Sequence, residues 1–88
     1  MAKTYQLKSP ITVSGNVIDQ VEIREPVFAE LLEHGIPDDS ATPIEKLAAF
    51  SKYMALCTGL SDDVIQQIKV SDALAIVKIV AGFFGDSD

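Results

Sequence analysis

The feature that most constrains this chain is its last helical stretch. From Ala73 to Phe84 every residue is apolar or glycine except Lys78. A helix on the surface of a small domain shows a polar face, and this stretch shows almost none. The chain is only 88 residues long. A chain of this size buries roughly 60% of the surface its unfolded form exposes, so enclosing one helix on all sides is difficult. Either the other elements wrap it, or part of it stays exposed for a partner, and the residues leave both open. The stretch is also too short to span a bilayer.

The N-terminal third has the period of a strand instead. Tyr5 and Leu7 alternate with Gln6 and Lys8, and Ile11-Thr12-Val13 is β-branched throughout. Pro10 cannot donate to a ladder and marks an edge or a break. Ser14-Gly15-Asn16 reads as a turn, Val17 and Ile18 open a return strand, and Val21 and Ile23 alternate with Glu22 and Arg24. A hairpin alone is marginal in water, so its apolar face needs the helical remainder. The expected architecture is α+β, mainly α: a β-hairpin over about 4–24 packed on a small bundle of about four helices over about 26–85. It forms one domain, 1–88, with an acidic tail at 86–88.

Helix boundaries follow from capping chemistry. Glu25-Pro26 starts a first helix, with Pro26 at its first position, Val27, Phe28, Leu31 and Leu32 as its apolar face and Gly35 as its stop. Residues 36–41 form a polar loop. Thr42-Pro43-Ile44-Glu45 is a capping box opening a helix to about Thr58. Ile44, Leu47, Ala48, Met54 and Ala55 share one face of it, and Phe50, Tyr53 and Cys57 a second stripe, which makes it the central helix. Ser61-Asp62-Asp63 caps a third helix whose Val64, Ile65 and Ile68 face inward. Ser71-Asp72 caps the fourth, which runs to Gly85.

Composition narrows function mainly by exclusion. A net charge of -6 with seven Lys and Arg argues against nucleic-acid binding. Met1-Ala2-Lys3-Thr4-Tyr5 lacks the apolar core of a signal peptide. One cysteine excludes an internal disulfide and a cysteine-rich zinc site. Cys57 sits on an apolar stripe without a neighbouring base and reads as core. His34, the only histidine, falls in the last turn of the first helix and reads as a surface or capping residue. Asp38-Asp39 and Asp62-Asp63 lack the alternating oxygen ligands of a calcium loop, and no glycine-rich phosphate loop is present. No catalytic, cofactor-binding or metal residue is expected. An acid–base enzyme built on the acidic 36–41 loop lacks the apolar cleft such chemistry needs. The candidate partner-binding residues are Ile76, Val77, Val80, Phe83 and Phe84 on the fourth helix.

The order of elements, with Leu7-Lys8-Ser9-Pro10-Ile11, Arg24-Glu25-Pro26, Leu56-Cys57-Thr58-Gly59-Leu60 and the close Gly82-Phe83-Phe84-Gly85, resembles the small tail assembly chaperones of contractile-tailed bacteriophages over nearly the whole chain. The resemblance implies a non-enzymatic helper of virion morphogenesis, expressed from a phage or prophage in the host bacterial cytoplasm. Its partner would be the tape measure protein, kept soluble until tail tube subunits assemble around it. Many such proteins also occur in a longer, frameshifted form. Consecutive Phe codons are U-rich, so Phe83-Phe84 is compatible with a slippery site, and the tail Asp86-Ser87-Asp88 would make this chain the short form. No cofactor and no membrane is implied. The alternative from the residues alone is a small homo-oligomeric structural or adaptor protein that self-associates through its C-terminal apolar helix.

Overall fold

The computed structural model describes residues 2–35 and 42–84. Two antiparallel strands, β1 (Lys3–Val13) and β2 (Asn16–Ile23), precede four helices: α1 (Phe28–His34), α2 (Pro43–Thr58), α3 (Asp62–Gln67) and α4 (Val70–Gly82). This is the expected α+β, mainly α arrangement. The 36–41 loop, the Gly85 stop and the 86–88 tail lie outside the described residues. Among the described residues no helix is long and apolar enough to cross a membrane.

The hairpin turns on Ser14 and Gly15, both at positive φ (50° and 82°), between the paired residues Val13 and Asn16. Two positive φ values match the right-handed twist of the flanking strands, which ordinary turns would splay apart. The ladder is not uniform. Between the pairs Gln6–Gln20 and Ile11–Ile18, β1 uses Leu7, Lys8, Ser9 and Pro10 where β2 uses only Asp19. This bulge accommodates Pro10, whose missing N–H would otherwise leave a gap in the ladder. Gln6 Nε2 bridges it by donating to the Asp19 carbonyl at 3.1 Å. The difference of three residues is odd, so the core-facing side of β2 changes parity across it. Ile18 faces the core before the bulge, Val21 and Ile23 after it.

The bulge frees two successive backbone N–H groups, and Asp72 of α4 takes both. Lys8 N donates to Oδ1 and Ser9 N to Oδ2, each at 3.0 Å, while the Tyr5 hydroxyl donates to Oδ1 at 2.8 Å. Asp72 is fully enclosed and is the single buried polar residue among those described. Its carboxylate is held below the usual range, first by the Lys8 N–H, with further help from Ser9 and Tyr5, against a desolvation cost that pushes the other way. The same contact raises the Tyr5 phenol and keeps it a donor.

This use of Asp72 corrects the expected start of α4. The helix begins at Val70 with Lys69 as the flanking residue and no side-chain cap, because the carboxylate expected to cap it is committed to β1. The other end closes early. Phe83 N–H donates to Val80 O and Phe84 N–H to Ala81 O, both at 3.0 Å, and these three-residue-back bonds tighten the last turn. The first helix is also shifted. Pro26 lies outside it, and Val27 is the extended flanking residue whose N–H donates to the Glu30 carboxylate at 2.9 Å. The other caps fall where expected. Thr42 Oγ1 accepts from Glu45 N at 3.2 Å while Glu45 accepts from Thr42 N at 2.8 Å, Gly59 ends α2 in the left-handed region, and Ser61 caps α3.

One core cluster gathers Leu7, Ile11, Val21 and Ile23 from the hairpin, Tyr53, Met54 and Cys57 from α2, Val64 and Ile65 from α3 with the adjoining Ile68, and Ile76 and Val80 from α4. α2 is central only in its second half, where all its buried residues lie. There it packs on β2, α3 and α4, and the Arg24 N–H donates to the Cys57 carbonyl at 3.0 Å. Its first half extends past these partners, so Ile44 and Leu47 are exposed rather than central.

Two outcomes test this packing. Ile76→Ala should lower unfolding stability by about 2–5 kcal/mol, through lost transfer energy and a cavity, whereas Leu74→Ala, half exposed, should change it by less than about 1 kcal/mol. Urea unfolding of both variants reads the difference. Asp72 titrates lower when folded than when unfolded, so its contribution is complete above its ordinary pKa of about 3.9 and fades as pH falls through the lower folded value. Asp72→Asn keeps one oxygen but sets an amide N–H₂ against one of the two backbone donors. It should lower Tm at pH 7 and flatten the loss of Tm below about pH 4; an unchanged acid slope would show that the carboxylate does not carry it.

Candidate interaction surface

The five residues expected to meet a partner do not form one exposed patch. Ile76 and Val80, one turn apart on α4, are completely enclosed. Of the two readings the sequence leaves open for α4, the wrapped one holds at these two residues: that face meets the hairpin and α2 and serves as the floor of the core. Val77, Phe83 and Phe84 are half-buried against the core's edge. The Phe84 ring stands edge-on to Tyr53 at 5.0 Å and tilted to Phe50 at 6.4 Å. α4 is therefore partly wrapped, and what it leaves open is Val70 and Leu74 near its start.

More apolar surface is exposed on α1 and the start of α2. Phe28 and Leu32 lie one turn apart on α1 and are 71% and 72% exposed, and Ile44 on α2 is 79% exposed. Val27 and Leu47 are also open. The sequence assigns Val27, Phe28 and Leu32 only to an apolar face, and places Ile44 and Leu47 on a central helix. Helical spacing reports that a face is apolar, not whether anything covers it. The polar break at 36–41 beside two such faces was the available hint.

α1 buries no residue, and a seven-residue helix does not persist in water by propensity alone. Specific bonds hold it. Arg24 donates to both carboxylate oxygens of Glu30 at 3.0 and 2.7 Å. The Arg24 guanidinium, and next the Val27 N–H, lower the Glu30 pKa to about 2. At the other end Gly35 N–H donates to Leu31 O at 2.7 Å, and the Tyr53 hydroxyl donates to the Gly35 carbonyl at 2.6 Å. The His34 ring stands edge-on to Tyr53 at 5.9 Å. α1 is thus fixed at both ends, with Leu31 half-buried against the core, while Phe28 and Leu32 point outward.

The remaining candidates have structural explanations. Cys57 is buried and burial pushes its thiol up, which disfavours the nucleophilic thiolate. Asp62 and Asp63 occupy the first turn of α3 beside the Ser61 cap. No group of His, Cys, Asp and Glu among the described residues is arranged to hold a metal. The residue that sequence reasoning misjudged is Asp72, whose partners lie 63 to 67 positions away. Proline two residues after Lys8 was the only local sign that a strand there would have N–H groups to spare.

No curated protein and no solved structure matches the chain. A family model described as "Phage tail assembly chaperone proteins, E, or 41 or 14" matches residues 4–85, a span that includes both strands, all four helices and every exposed apolar residue named above. The chain belongs to the phage tail assembly chaperone family.

Proposed function

We propose that this chain binds the tape measure protein of its phage or prophage and keeps it soluble in the host bacterial cytoplasm until tail tube subunits assemble around it. The observation that carries the reading is family membership over residues 4–85. The exposed apolar side chains on three helices support it, since a holder of an amphipathic helical client needs apolar surface that its own fold does not consume. The role is non-enzymatic and requires no cofactor. Val77, Phe83 and Phe84, half-buried at the end of α4, are proposed contacts with the client, above the floor made by Ile76 and Val80. A longer, frameshifted form of the chain is a proposed second partner.

A second reading has its own observation. Val70, 73% exposed, and Leu74 form an open apolar stripe at the start of α4, which suits self-association of a small adaptor through that helix.

Co-expression with the tape measure protein encoded at the same locus separates the two. The expected outcome is a tape measure protein that moves from pellet to supernatant and co-elutes with this chain on size exclusion. A tape measure protein that stays insoluble, beside a chain running alone as a stable oligomer that Val70→Asp dissociates, would overturn the chaperone reading and establish the adaptor.

A further inference from the structure

We propose that α1 forms a preorganised acidic docking surface for a basic amphipathic helix, with Phe28 and Leu32 as its apolar anchors. The identification of that helix as a tape measure segment rests on the function proposed above. The chemistry of the surface does not.

Three observations converge on this. First, Phe28 and Leu32 share a face of α1 without a covering element among the described residues. Second, α1 is locked by the Arg24–Glu30 pair and the Tyr53–Gly35 bond rather than by burial. Its anchors are therefore presented on a helix already formed, which lowers the ordering cost of binding. Third, the charge around the face is of one sign. From Glu25 to Gly35 the chain carries Glu25, Glu30 and Glu33 and no Lys or Arg, and the nearest cation, Arg24, is occupied by Glu30.

That charge decides between occupants. Two copies meeting through this face would set like charges against each other, which costs binding energy. A helix with Lys or Arg flanking its apolar stripe gains from both parts of the surface. The other open stripe has the opposite character. The only charged side chains on α4 besides the enclosed Asp72 are Lys78 and, at its flank, Lys69. Val70 and Leu74 therefore form an internal control, because the same basic helix would be repelled there.

The test uses the full chain and two synthetic amphipathic peptides of about 20 residues, with the same leucine stripe and either lysine or glutamate on the polar face. Binding is read by fluorescence anisotropy and located by ¹H–¹⁵N chemical-shift changes. The lysine peptide should bind at least about ten-fold more tightly than the glutamate peptide and weaken with added salt. Its shifts should centre on residues 27–33. Phe28→Ser with Leu32→Ser should weaken it at least about ten-fold with Tm nearly unchanged, because both side chains are exposed; Val70→Ser with Leu74→Ser should leave binding intact. Equal affinity for both peptides, shifts centred on α4, or binding insensitive to Phe28→Ser with Leu32→Ser would overturn the proposal. So would concentration-dependent self-association that shifts the same α1 residues in the absence of peptide. The two proposals fail separately. A tape measure complex that survives Phe28→Ser with Leu32→Ser sinks this surface and spares the chaperone reading. Lysine-peptide binding at α1 without any tape measure complex does the reverse.

Discussion

One carboxylate joins the two halves of this molecule. Asp72 accepts from the Lys8 and Ser9 N–H groups and from the Tyr5 hydroxyl, and each bond answers a problem that other parts of the fold create. Pro10 interrupts the ladder, the interruption becomes a bulge, and the bulge turns two neighbouring N–H groups to the same side. Buried donors without partners are costly, so a bulge facing the core needs an acceptor with two oxygens. A carboxylate in the first turn of α4 supplies it and sits where the helix dipole favours negative charge. The hairpin's position over α4, and with it the packing of Leu7 and Ile11 near Ile76 and Val80, follows from this clamp.

The rest of the packing shows how a short chain uses limited apolar surface. The hairpin, the second half of α2, α3 and one face of α4 close around a single cluster. α1 and the first half of α2 contribute little to it beyond the half-buried Leu31 and Phe50, and Phe28, Leu32, Ile44 and Leu47 face outward. A domain of this size cannot bury both a two-stranded sheet and four complete helix faces. The elements left out are held by directional bonds: an ion pair, a capping box and a tyrosine hydroxyl.

Much of this was legible in the residues. The Ser14-Gly15 turn, the Thr42–Glu45 capping box, the Gly59 stop and the core role of Cys57 follow from local chemistry, where a residue and its partner are close in sequence. Family resemblance carried by Leu7 to Ile11 and the Gly82–Gly85 close agreed with the family match. What was not legible depends on distant partners. Asp72 reads as an N-cap because its true partners are elsewhere in the chain. Ile76 and Val80 read as exposable because nothing local shows that the hairpin lies over them. Ile44 and Leu47 read as central, and the Phe28–Leu32 face as undecided, for the converse reason: an apolar face has the same periodicity whether it is covered or open.

The span of the Asp72 clamp has a consequence for the order of folding. Lys8 and Asp72 are 64 positions apart, and a chain emerges from the ribosome N-terminus first. The hairpin leaves early, yet an isolated two-stranded ribbon is only marginally stable, and the acceptor for its bulge arrives only when α4 has been made. Until then its apolar face has no floor. Closure of such a distant pair is entropically slow, so the nascent hairpin waits as an adhesive strand pair and the arrival of α4 acts as the latch. Commitment to the native state is in this sense delayed until the message for α4 has been read.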